Sequence, residues 1–302
     1  MAKRKYFIFL LFLVCILGCL LPACTGLYED VDLPFSEPPI VVHSYLYPGM
    51  QVIKISVVYA HNIGGGPIPT NRIPVKDAIV KLWSEIHEPI LIPYDENKKL
   101  FSSTAENFTI VEGVEYFLLI EHAEHPPISA RVRIPESHND FFVEVAELES
   151  DTFSRVFGFT AWVQDKPQKK NFYQLFGFLE GVRICEIGQD LGEEPFSYSI
   201  LDFSPLTVDE NRDGLRIFFP SRELEFFKSN KCHYRIDSLR YRLVFFEENT
   251  YLYLKSIEDF IDASESPFLF PQSPYTNIVN GLGIFGAYSM VEKISYPSEF
   301  LQ

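Results

Sequence analysis

Ile128-Ser129-Ala130-Arg131-Val132-Arg133-Ile134 alternates apolar and polar side chains without a break. A period of two is the spacing of a β-strand with one face buried and the other solvated. Working outward, residues 51–59 repeat the pattern. Ile53, Ile55, Val57 and Tyr59 fall on one side, and Lys54 and Ser56 on the other. Residues 114–121 are apolar on both faces, as a central strand requires. With 39–46, 75–83 and 107–111 they make six or seven short strands, enough for an immunoglobulin-like or transthyretin-like sandwich over residues 39–136.

Residues 135–140, Pro-Glu-Ser-His-Asn-Asp, form a natural boundary. Beyond it the strands are longer and aromatic: 141–148, 153–164, 172–185 and 234–247. The chain holds 28 Phe and 16 Tyr. One helix is predicted at 250–263, capped by Asn249, with Leu254, Ile257 and Ile261 sharing a face at i, i+3 and i+7. The expected architecture is therefore mainly β: an N-terminal sandwich, then a second, aromatic-rich β domain (137–302) with one short helix. No internal repeat or low-complexity tract interrupts it.

The N-terminus reads as an address. Lys3, Arg4 and Lys5 precede an uncharged run from Tyr6 to Leu21. That is the secretory-signal pattern, and it falls short of the ~20 residues of a spanning helix. Two Cys-terminated boxes compete for cleavage, Ile16-Leu17-Gly18-Cys19 and Leu21-Pro22-Ala23-Cys24. Cys24 is preferred, because cutting at Cys19 leaves Leu20, Leu21 and Pro22 exposed. The expectation is a signal peptide over 1–23, a lipidated Cys24, and an acidic tether over 24–38. Two or three acyl chains, at about 0.8 kcal/mol per buried CH₂, anchor a protein essentially permanently.

The full chain has a net charge of −15. Without Lys3, Arg4 and Lys5, 23 basic residues face 41 acidic ones, a balance of −18. Such a surface excludes nucleic acid as a partner and is not drawn to anionic headgroups. Of five cysteines only Cys185 and Cys232 lie in the body. In an exported chain they are candidates for a disulfide, which spacing alone leaves open.

Chemistry-bearing motifs are sparse. Asp209, Asn211 and Asp213 followed by Gly214 reproduce positions 1, 3, 5 and 6 of a calcium loop. Position 12 is Pro220, with Glu223 or Glu225 as substitutes. A hairpin loop using Asp and Gly for turn geometry is the plainer account. His122 and His125, with His138 more distant, fall short of a zinc set and read as a solvated turn. Gly281-Leu282-Gly283-Ile284-Phe285-Gly286 spells a dinucleotide fingerprint, but a strand-like segment follows it. Close backbone approach explains those glycines better. Gly64-Gly65-Gly66 reads as a flexible loop. There is no Gly-x-Ser-x-Gly elbow, and no catalytic residue or cofactor is expected. Asn171-Phe172-Tyr173, Tyr251 and Tyr253 are the aromatic-bearing positions to test for exposure and stacking.

Taken in order, Asp30-Val31-Asp32-Leu33-Pro34, Pro39-Ile40-Val41-Val42, Pro67-Ile68-Pro69, residues 74–80 and residues 111–120 form a series. Asn171-Phe172-Tyr173, 209–214, Tyr251-Leu252-Tyr253-Leu254 and the closing segment 276–286 continue it. The series resembles the Bacteroidota lipoproteins of domain of unknown function 4249, over nearly all of the chain beyond Cys24. The resemblance implies an outer-membrane lipoprotein, commonly encoded beside TonB-dependent receptors, with no established activity and no catalytic residues to carry over.

The leading expectation is a non-enzymatic lipoprotein of the outer membrane, exposed at the cell surface in preference to the periplasmic face. It would serve as an accessory or binding partner of a TonB-dependent transporter in nutrient uptake. A structural or assembly component of the cell envelope, acting through protein–protein contacts, is the alternative. A surface hydrolase is the third reading. The ligand is not legible.

Overall fold

The computed structural model describes residues 38–60, 72–150, 154–187, 190–199, 205–210, 212–227, 232–265 and 272–296. The first run of strands is β1 (Ile40–Leu46), β2 (Val52–Tyr59), β3 (Ile79–Ser84), β4 (Ile90–Ile92), β5 (Tyr94–Asp95), β6 (Leu100–Thr104), β7 (Glu115–Glu121) and β8 (Ile128–Arg133). The second is β9 (Phe141–Ser150), β10 (Ser154–Gln164), β11 (Phe172–Ile187), β12 (Asp190–Ser199), β13 (Thr207–Val208), β14 (Arg216–Phe227) and β15 (Cys232–Phe246). Helix α1 (Glu248–Glu265) and strand β16 (Leu282–Ser295) follow. The protein is mainly β, as the alternation implied.

One nine-stranded sheet, ordered β12-β11-β15-β16-β1-β2-β6-β5 with β13 beside β11, runs through the body. The four strands β4-β3-β7-β8 cover one end of it, and the three strands β14-β10-β9 cover the other. The first pairing encloses an aliphatic core that includes Ile40, Val42, Ile53, Leu82, Leu118 and Val132. The second encloses an aromatic core that includes Phe141, Phe157, Phe159, Tyr173, Tyr241 and Phe245. Ile128, Ala130, Val132 and Ile134 are buried, and β7 is interior to its sheet, as their patterns dictate.

The sequence boundary at 135–140 falls between β8 and β9, but the two sandwiches are not separable beads. Strand β16 pairs in parallel with β1 over Leu282–Ala287, then antiparallel with β15 over Tyr288–Ser295. Ile278, Phe285 and Ala287 thereby enter the first core, while Val291 packs on the second. All the strands belong to one compact unit.

Three local expectations are corrected. Residues 107–111 do not form a strand. The buried Tyr116 hydroxyl takes their backbone groups instead, accepting from Val111 N–H (2.8 Å) and donating to Thr109 C=O (3.1 Å). The cap of α1 is Glu247, not Asn249: Glu247 Oε2 accepts the Thr250 N–H at 3.1 Å. The helix buries Thr250, Tyr253 and Ala263, and leaves Ile261 49% exposed, so the stripe 254/257/261 is not its core face. No helix among the described residues is long and apolar enough to cross a membrane.

Candidate functional site

Strand β10 ends at Gln164, and the next residue, Asp165, turns its carboxylate inward at 2% exposure. Its Oδ1 accepts from the Tyr173 hydroxyl (2.6 Å) and from Asn171 Nδ2 (3.0 Å); its Oδ2 accepts the Gly214 N–H (2.8 Å). Asp209, 5% exposed, accepts the Asn171 N–H at 2.9 Å. Asp213 accepts the Gln168 N–H at 2.8 Å. One carboxylate oxygen from each of Asp165, Asp209 and Asp213 lies within 4.8 Å of the others. Gly214 has φ +72°, a backbone conformation for which its lack of a Cβ suits it.

The calcium-loop reading is thus half redrawn. Asp209 and Asp213 do converge, and Asn211 lies outside the described residues. The third oxygen comes from Asp165, which the loop pattern could not reveal. Glu223 and Glu225 sit exposed on β14 and take no part. Oxygen donors of this kind suit a hard cation in principle. Here the carboxylates are already held by five neutral donors that clamp the 165–171 turn to the 209–214 loop. Burial, followed by the neighbouring Asp165 and Asp213 charges, raises the Asp209 pKa above the ordinary carboxylate range. Burial and the Asp165 hydrogen bond likewise push the Tyr173 phenol up, keeping it a donor. The cluster acts as a hydrogen-bond hub joining β10, β11 and β14.

The other candidates resolve in the same direction. His122 Nδ1 accepts the Glu124 N–H (3.2 Å), which leaves Nε2 to face Asp77 at 3.3 Å. His125 lies nearby with its ring tilted against that of His122, while His138 packs on Phe245 and Tyr173 elsewhere, so the three histidines form no common set. Phe172 and Tyr173 are buried, and Phe172 stacks on Tyr251 at 4.4 Å; Tyr253 is buried too. Cys185 and Cys232 stand directly opposite on β11 and β15 and are disulfide-bonded. Cys19, Cys24, Gly64-Gly65-Gly66 and Pro67-Ile68-Pro69 lie outside the described residues.

The closing segment is architecture throughout. The Asn277 amide accepts from Phe285 N–H (3.0 Å) and donates to Phe285 C=O (2.8 Å), imitating a neighbouring strand. Thr250 Oγ1 does the same for the Ala287 N–H at 2.8 Å. Gly283 has φ +98°, and a Cβ there would collide with the Val42 carbonyl. At Gly286 it would come within 2.8 Å of Thr250 Oγ1 and the Tyr45 ring. The fingerprint glycines therefore permit strand packing, not phosphate binding.

Where the two sandwiches meet, a cleft of about 420 Å³ is lined by Arg133, Glu136, Lys166, Lys169, Lys170 and Glu248 among others. Lys169 pairs with Glu136 at 2.8 Å and Lys170 with Glu248 at 3.5 Å, so much of its charge is internally matched.

These observations define a class: a two-sandwich β protein whose polar constellations serve as structural clamps. Residues 28–294 match the model of the family described as "Domain of unknown function (DUF4249)", and the chain belongs to that family. No curated protein matches it.

Proposed function

We propose that this protein is a non-enzymatic lipoprotein, anchored through Cys24 to the outer membrane, that works by contact with a TonB-dependent transporter in nutrient uptake. The observation that carries the contact role is the surface of its sheets. Phe142, Trp162 and Phe218 stand directly opposite one another across β9, β10 and β14. Phe142 stacks on Trp162 at 4.1 Å, and the Arg216 guanidinium lies 4.1 Å over the Trp162 ring. Phe142 and Phe218 are 50% and 57% exposed. Trp83 and Phe117 form a second stacked pair, opposite Arg131, on the outer face of β3-β7-β8. Tryptophan, tyrosine and arginine are the residues that dominate protein–protein hot spots.

The Cys185–Cys232 disulfide adds support for export, since such bonds persist in oxidising compartments. The transporter as partner comes from the family resemblance alone. Affinity purification of the tagged protein from mildly solubilised outer membranes tests it. One TonB-dependent receptor in near-stoichiometric yield is expected; the lipoprotein alone, or with envelope-assembly machinery, overturns it. For the anchor, alkyne fatty-acid labelling should vanish in Cys24→Ala. Label kept there and lost in Cys19→Ala would move the anchor to the earlier box.

A further inference from the structure

We infer that the second half of β16 is an acceptor edge for an extended polypeptide strand of a partner protein. The inference names a surface for the partnership proposed above and rests on that reading only for the partner's identity.

Strand β1 leaves the lane beside β16 at Leu46, opposite Ala287. From there to Ser295, among the described residues, β16 is paired on one side only, by β15. The parity of its hydrogen bonds is fixed by its neighbours. Phe285 turns its N–H and C=O toward Asn277, and Ala287 turns its own toward Thr250 and Glu247, on the β15 side. Alternation then aims the N–H and C=O of Met290, Glu292 and Ile294 into the vacated lane. A row of alternating backbone donors and acceptors is matched by another backbone, which specifies an extended peptide.

Along the lane β16 presents Tyr288, Met290, Glu292 and Ile294 on its outer face, and Glu292 is held by Arg240 and Arg242 of β15, which leaves Tyr288, Met290 and Ile294 as the apolar side chains there. Beside them, over β11, β15 and β16, a groove is lined by Tyr47, Phe178, Arg242, Phe246, Tyr288 and Met290 among others. On the inner face Lys293 holds β9 beneath β16 by bonding to the Phe141 carbonyl. Val143, Val145 and Val291 are only partly buried there, so the core is incompletely sealed.

The other long edges are defended. Strand β9, the edge opposite β14 in the three-stranded sheet, shows exposed Glu144 and Glu149. Strand β12 shows exposed Glu193, Glu194 and Pro195, and β14 carries Pro220 with exposed Glu223 and Glu225. Prolines and charges are the usual guards of an edge strand. The β16 edge has no proline; its two charges are engaged, Glu292 with Arg240 and Arg242 and Lys293 with the Phe141 carbonyl, and Met290 and Ile294 are 38% and 42% exposed. A net charge of −15 disfavours pairing of two copies, and the occupant is accordingly assigned to a different protein.

The test is selection of a random decapeptide display library on the folded protein, with Met290→Pro as the counter-target. That proline removes a lane-facing N–H and no bond within the sheet, so the fold survives; a coincident melting curve verifies this. The expected outcome is enriched peptides of alternating apolar residues. They should protect the amides of 290, 292 and 294 from hydrogen exchange, and should bind Met290→Pro about tenfold more weakly or worse. Equal binding to the variant, protection elsewhere, or no enrichment overturns the inference. A dimer of the wild type that Met290→Pro dissolves would reassign the lane to a second copy. In the membrane pull-down, a receptor retained by Met290→Pro refutes this surface and spares the accessory role. No receptor with the wild type refutes that role instead.

Discussion

The first sandwich fills its interior with isoleucine, valine and leucine, and ties its last strand down with side chains that imitate backbone: Asn277 to Phe285, and Thr250 to Ala287. The second mixes phenylalanine and tyrosine with leucine, isoleucine and valine in its interior, and ties its turns with the Asp165 hub and the Cys185–Cys232 bond. Small branched side chains alternate cleanly and let glycine-mediated strand contacts close tightly. The same layered plan is thus held by backbone mimicry at one end and by carboxylate and covalent cross-links at the other.

The chain supplies a reporter for each half, Trp83 in the first and Trp162 in the second. Single-tryptophan variants (Trp162→Phe and Trp83→Phe) can follow each half in denaturant. The largest effect is expected from Gly283→Val, which drives a side chain into the Val42 carbonyl and should abolish the folded baseline of Trp83; soluble, cooperative melting would refute the close approach. Asn277→Ala strands two buried backbone groups and should cost about 3 kcal/mol, read first at Trp83. Cys185→Ser with Cys232→Ser should cost about 2–4 kcal/mol through the unfolded chain, read first at Trp162. If every variant shifts both reporters equally, β16 couples the halves into one cooperative unit and the comparison becomes one of means alone.

The smallest effect concerns pH. A carboxyl whose folded pKa is raised binds more proton folded than unfolded, so its contribution to stability falls as pH rises through that range. Asp209→Asn keeps an oxygen for the Asn171 N–H and removes the clash of charge with Asp165 and Asp213. Its melting temperature should exceed the wild type's by a few degrees at neutral pH, with the advantage shrinking toward about pH 4. A lower melting temperature at neutral pH would mean that the charge itself is needed.

Legibility followed physical simplicity. Half-buried strands such as β2 and β8 announce themselves, because period-two alternation has one cause. Strands β12 and β14 were not among the predicted strands; each contains a proline, Pro195 and Pro220, which an edge tolerates because a missing N–H costs little there. The Asp209–Gly214 loop was visible as a motif, whereas its anchor Asp165 is a lone acid whose partners, Asn171, Tyr173 and Gly214, come from two other segments. Asn249 looked like the cap, because capping statistics favour short polar side chains. Glu247 takes that role here, with its longer chain reaching back to Thr250 N–H.

The lane beside β1 also orders events in time. A chain made from its N-terminus presents β1 with β2 early, but the parallel partner of β1 emerges only after all of the second sandwich. That most distant of pairings is slow to find and withholds completion of the first core until synthesis is nearly over. For the exported lipoprotein proposed above, this wiring would supply a built-in delay before folding. A product stopped anywhere before Leu282 would be left with an open sheet, ready to be recognised and removed.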